Sequence, residues 1–202
     1  MLDGSARKLI DPYLMALAEK LKATGITPDQ VTIGGFVIGL LAAMAISMQW
    51  FFVGMILLLI SRLADGLDGS LAKLTRSTDF GGYLDIVLDF AFYGVIPLAF
   101  IVANPETNAL AGAVLILSFY VNGASFLAYA GLAQKRGLSS EVRGAKSIYF
   151  TTGLAEATET LAVFVLVCLF PSWFPVLAYL FAAICFYTAL ARIMQAKEQF
   201  EN

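Results

Sequence analysis

Between Asp29 and Arg62 no side chain carries a charge. A spanning helix needs about 20 mostly apolar residues, so this run is too long for one and suits two. Met48, Gln49 and Trp50 mark the expected turn between them. Residues 107–134 and 160–191 are further uncharged runs. The second contains Pro171, Trp173 and Pro175, which suit a turn at a membrane interface. Residues 81–103 are apolar apart from Asp85 and Asp89. The expected fold is therefore all-α and membrane-embedded. Six transmembrane helices are expected near residues 30–48, 51–73, 81–103, 108–133, 148–170 and 175–194. With 59% hydrophobic and 14% charged residues and a mean hydropathy of +0.80, the chain is excluded from the ordinary soluble and the disordered classes. A net charge of -2 gives no basic footprint, so no nucleic-acid partner is expected.

The basic residues fix the orientation. They stand at 7, 8, 20 and 22, at 62, 73 and 76, at 135, 136, 143 and 146, and at 192 and 197. Six spans put all of them on one side. The opposite loops, near Gln49, at 104–108 and at 171–175, have none. Lys and Arg accumulate on the cytoplasmic side. Both termini are thus expected in the cytoplasm, with the protein integral to the cell (inner) membrane.

The N-terminal stretch lacks the apolar core of a signal peptide. Residues 12–23 instead suit an amphipathic surface helix, with Asp11 as cap and Pro12 in its first turn. Ile10, Leu14, Leu17 and Leu21 share a face, and Gly25 ends the helix. Two units follow: a juxtamembrane segment over 1–26 and a six-helix transmembrane domain over 27–202. Thr27, Pro28 and Gln30 form a capping-box start for the first span.

The chain has no histidine, and Cys168 and Cys185 both lie in apolar runs. Catalysis would have to rest on carboxylates, lysine, hydroxyls or oxygen-held metals. Asp65 and Asp68 are spaced i, i+3 at the inner end of the second span; Asp85 and Asp89 are spaced i, i+4 at the inner start of the third. Each pair shares a helix face, and the short connection makes the two helices antiparallel neighbours. One acid at a helix centre costs about 2.5–3.5 kcal/mol on insertion scales, and four like charges cost more unless some are protonated or cations bind. Hard divalent ions take oxygen ligands and remove the repulsion. The alternative is ion pairing of Asp65 and Asp68 with Arg62, Lys73 or Arg76. Gly66, Gly69, Ser70, Ala72, Gly81 and Gly82 surround the acids and leave space for a ligand or another backbone. Mg²⁺ usually keeps substrate phosphates among its ligands, which points to a phosphate-handling metal site open to the cytoplasm.

The run Asp65, Gly66, Leu67, Asp68, Gly69, Ser70, Leu71, Ala72, Lys73, followed after seven residues by Gly81, Asp85 and Asp89, resembles the signature of the CDP-alcohol phosphotransferases. That signature is D-x-x-D-G-x-x-A-R, a spacer, then G-x-x-x-D-x-x-x-D. The chain departs from it at Lys73, where the family has arginine. Lysine is a point charge rather than a bidentate fork, and Arg76 stands one turn further on. The resemblance implies a homodimeric membrane enzyme that moves a phosphatidyl or related phospho-group from a CDP-linked lipid or CDP-alcohol donor to an alcohol acceptor, releasing CMP. It implies two Mg²⁺ or Mn²⁺ ions held by Asp65, Asp68 and Asp85, with Asp89 also at the metal centre and acting as general base. Gly66, Gly69, Ala72, Lys73 and Gly81 would line the nucleotide site.

Glu156 and Glu159 lie at i, i+3 in the fifth span. They suit either recognition of a polar acceptor alcohol or a structural hydrogen bond to Asn122 or Ser125. Arg143 and Lys146, at the entry to that span, suit either a hold on a phosphorylated acceptor or a positive-inside role alone. A cation- or proton-coupled transporter is the competing function. The acids gather at one membrane face, however, and the aspartate pattern is not repeated, as transporter architecture would favour.

Overall fold

The computed structural model describes residues 3–137 and 157–201, and every regular element among them is helical. The elements are α1 (Asp3–Lys22), α2 (Pro28–Ser47), α3 (Phe51–Leu74), α4 (Asp79–Ala103), α5 (Pro105–Lys135), α6 (Ala157–Leu169) and α7 (Phe174–Phe200). A 3-10 turn, Pro171–Trp173, joins the last two. Four stretches are long and apolar enough to cross a membrane: α2, α4, α5, and α7 together with its preceding turn. At 24 residues, or about 36 Å, α3 has the length to cross. From its middle onward, however, it carries Arg62, Asp65, Asp68 and Lys73. Thirteen residues of α6 are described.

The capping box at α2 forms as expected: the Thr27 hydroxyl accepts from the Gln30 amide, and the Gln30 side chain accepts from the Thr27 amide. The turn after α2 has Gln49 at φ 65°, and the Gln49 side chain donates to the Ala103 carbonyl at 2.8 Å. That bond puts the α2–α3 and α4–α5 connections at one end of the bundle. At the other end, Arg136 after α5 donates to the Phe200 carbonyl of α7 at 2.6 Å. Between the ends lies an aromatic core in which Phe92, Phe100, Phe164 and Phe174 are almost fully buried. Cys168 and Cys185 are free thiols within it.

The N-terminal helix departs from expectation. It begins at Asp3, so Asp11 and Pro12 are interior rather than cap and first turn. A proline inside a helix removes one amide hydrogen bond and crowds the preceding turn. Here both residues are exposed, where water can satisfy the freed carbonyl. Leu14, Ala18 and Leu21 pack on Leu67, Leu71 and Leu74 of α3. Ile10 and Leu17 are left outside that contact with Tyr13, all three exposed. Gly25, at φ +79°, makes the turn after the helix.

Candidate metal centre

The site is built where the C-terminal end of α3 meets the start of α4. Thr78 caps α4 by accepting from the Gly81 amide at 3.0 Å, which sets the register of Asp85 and Asp89. Asp65, Asp68 and Asp85 each offer a carboxylate oxygen, and the three atoms lie within 4.8 Å of one another. Ligand oxygens around a divalent ion with bonds of about 2.0–2.6 Å are at most about 4–5 Å apart, so the group fits one such ion. The donor set, hard oxygen and threefold anionic, suits Mg²⁺, Mn²⁺ or Ca²⁺.

Each carboxylate has a different neighbour. Asp68 is buried, 6% exposed, and accepts the Thr32 hydroxyl of α2 at 2.5 Å. Asp89 lies outside the three-carboxylate group and accepts from Arg62 Nη1 at 2.5 Å. The same nitrogen is 3.4 Å from Asp65 Oδ1. Arg62 therefore does pair with one of the first two aspartates, as the ion-pair alternative held. It adds a cross-helix pair to Asp89 that spacing along one helix could not reveal.

The small residues divide by what they face. A side chain at Gly69 would meet nothing within 4 Å, and Lys73 is exposed beyond it. Ala72 is half-buried. A Cβ at Gly66 would sit 2.9 Å from Leu14 of α1, so this glycine admits the N-terminal helix. A Cβ at Gly81 would lie 2.9 Å from Asp29 Oδ1 and 3.0 Å from Thr78 Oγ1. Asp29, at the start of α2, thus reaches the α4 end of the site. Thr32 carried no assignment in the sequence, and Asp29 was only the edge of the charge-free run.

On the acceptor side, Arg143, Lys146 and Glu156 lie outside the described residues. Glu159 is half-buried in the first turn of α6. Asn122 and Ser125 face Arg192 of α7: its Nη1 is 3.0 Å from both the Asn122 carbonyl and side-chain oxygens, and 2.6 Å from Ser125 Oγ. Arg192 carried no assignment in the sequence beyond its place among the basic residues.

Comparison with known proteins agrees with this chemistry. The profile of the CDP-alcohol phosphatidyltransferase family matches residues 25–193. An inner membrane protein of Escherichia coli, YnjF, is 46% identical over 193 residues, covering 96% of this chain and 94% of that protein. The archaetidylinositol phosphate synthase of Pyrococcus horikoshii is 27% identical over all of this chain and 99% of its own. In fold, the chain resembles Mycobacterium tuberculosis phosphatidylinositol phosphate synthase (PgsA1) with CDP-DAG bound, with a TM-score of 0.72 at 22% identity. The match covers 91% of this chain and 93% of that one. The same enzyme in complex with manganese and citrate aligns with a TM-score of 0.65 at 22% identity, over 90% and 87% of the two chains. The aspartates that the bundle gathers are thus set in a helical membrane enzyme of phospholipid synthesis, and the chain belongs to the CDP-alcohol phosphatidyltransferase family.

Proposed function

We propose that the protein transfers a phosphatidyl or substituted phospho-group from a CDP-linked donor, with CDP-diacylglycerol preferred, to an alcohol, releasing CMP. The observation that carries this reading is the convergence of Asp65, Asp68 and Asp85 from two helices within 4.8 Å. The donor preference is supported by the CDP-DAG complex of the PgsA1 neighbour. Divalent ions at the cluster, two in this reading, supply neutralisation of the diphosphate and of the charge that develops on the departing CMP.

The chain's own residues do the rest. Asp89 takes the proton of the acceptor hydroxyl. The acceptor oxygen then bonds to the lipid-bearing phosphorus, the phosphoanhydride bond breaks, and CMP leaves with the bonding electron pair. Arg62 aims the Asp89 carboxylate, and Thr32 aims Asp68. Gly69, Ala72, Lys73 and Gly81 border the nucleotide, with Gly66 behind them. Arg143, Lys146, Glu156 and Glu159 form the acceptor side.

In the membrane, α3 and the span expected over 148–170 join the four long apolar helices, giving six. The positive-inside rule then puts both termini and the site in the cytoplasm. The inner membrane is supported by the E. coli relative. The exposed line Ile10, Tyr13 and Leu17 of α1 lies on the leaflet surface, and the enzyme works as a homodimer. Transport by the same acids is disfavoured, since the acids gather at one end of the helices.

The test is incubation of purified protein with Mn²⁺ and each donor, CDP-diacylglycerol or a soluble CDP-alcohol. A panel of acceptors is added: glycerol phosphate, inositol phosphate, serine, choline and ethanolamine. One pairing is expected to yield CMP and a new phosphodiester in equal amounts, with Asp89→Asn inactive. Absence of product from every pairing, with ion uptake into vesicles, overturns the reading.

A further inference from the structure

Arg62 is held from three sides. Its Nη1 donates to Asp89 of α4 at 2.5 Å and lies 3.4 Å from Asp65 of its own helix. Nη2 reaches Ser61 Oγ at 3.4 Å. The guanidinium carbon sits 3.7 Å from the centre of the Phe92 ring, a cation–π contact on a fully buried side chain. Phe92 is itself pinned by α2, because a Cβ at Gly39 would come within 2.8 Å of it. The arginine side chain is 11% exposed. It is a fixed positive charge within the acidic cluster, aimed at the carboxylate that stays outside the three-oxygen group.

We propose that Arg62 is a positioning residue that competes with a second divalent cation for Asp65 and Asp89. This proposal rests on the metal-dependent transferase reading. The first ion takes the Asp65, Asp68 and Asp85 oxygens, which among the described residues are the group with metal-binding geometry. A second ion near Asp89 meets the guanidinium, and like charges a few ångströms apart repel strongly in a poorly solvated site. The donor's diphosphate brings the negative charge that offsets this repulsion. The second ion therefore enters with the nucleotide, and Arg62 couples metal loading to donor binding.

The experiment is a Mn²⁺ titration of the purified full chain by electron paramagnetic resonance, with and without CDP, corrected for CDP alone. The wild type is expected to bind one ion tightly, and a second only when CDP is present. Arg62→Gln is expected to tighten the second ion about tenfold without CDP, while Arg62→Lys, which keeps the charge, stays near wild type. First-ion affinity close to wild type shows that each variant's site is folded, and the CDP arm needs no variant. Two ions of equal affinity in the free wild type, a count that CDP does not raise, or an unchanged second affinity in Arg62→Gln each overturns the proposal alone. Failure of the wild type to bind any Mn²⁺ overturns the metal reading on which it rests.

Discussion

The hydroxyl of Thr32 on α2 donates to the buried carboxylate of Asp68 on α3 at 2.5 Å. The contact depends on close approach of the two helices: a Cβ at Gly35, one turn along, would lie 2.9 Å from that of Ala64. Small residues at such crossings let backbones approach within membranes. Groups that orient a metal ligand are worth about 10–100-fold in affinity. Thr32→Val keeps the shape and removes the bond. It is expected to weaken Mn²⁺ binding about tenfold, with Thr32→Ser near wild type. Equal affinity in all three proteins would show that Thr32 does not set the Asp68 carboxylate.

Gly69 separates stability from function. It lies inside α3, faces open space, and has no neighbour that a methyl group would strike. Alanine in a helix interior is about 0.5–1 kcal/mol better than glycine. Gly69→Ala should therefore raise the melting temperature slightly. If the nucleotide packs there, the KM for donor rises about tenfold, because a methyl group takes its space. A more stable protein with unchanged donor KM would move the nucleotide away from Gly69.

Divalent ions should stabilise the fold by relieving the repulsion among Asp65, Asp68 and Asp85. A ligand at 100 times its Kd adds about 2.7 kcal/mol when it binds only the folded state. Saturating Mn²⁺ is expected to raise the melting temperature in detergent, and chelation to reverse the rise. Asp85→Asn should show little response. A full Mn²⁺ response in that variant would place the ion elsewhere.

Arg192 ties α7 to α5 through Asn122 and Ser125, and its guanidinium carbon is 5.6 Å from the Phe126 ring centre. Arg192→Met removes the donor and leaves those acceptors without it. Hydrogen bonds to charged groups contribute about 1.5–3 kcal/mol in soluble proteins and less within membranes, so a loss of about 2 kcal/mol is expected. Graded SDS unfolding measures it. An unchanged midpoint would mean that packing alone holds the two helices.

The sequence carried most of the fold because helix length, charge gaps and caps are local signals. The capping box at Thr27, the turn at Gln49 and the aspartate spacing were all legible in this way. Residues whose roles depend on a neighbouring helix were not. Thr32 carried no sequence signal and Asp29 stood beside a helix start, and only the packing of α2 on α3 and α4 brings them to the site. Arg62 read as a local partner for Asp65, while its bond to Asp89 crosses from α3 to α4. Gly66 read as space for a ligand or another backbone, and the packing shows that it faces Leu14 of α1. Pro12 misled for a different reason: proline is best placed in a first turn, yet an exposed helix tolerates it in the interior. Leu14 and Leu21 were legible as one face, but Ala18 between them was missed because alanine is a weak mark of a buried face beside leucine.

The central claim is that the aspartate cluster binds divalent metal and transfers a phospho-group from a CDP-linked donor. The most direct measurement is CMP release by metal-stripped protein given CDP-diacylglycerol and the acceptor that supports turnover, before and after Mn²⁺ is restored. The account predicts no release without metal or without acceptor, recovery on adding Mn²⁺, and no recovery in Asp68→Asn or Asp85→Asn. Equal CMP release from those two variants, or from the wild type kept metal-free, would contradict it.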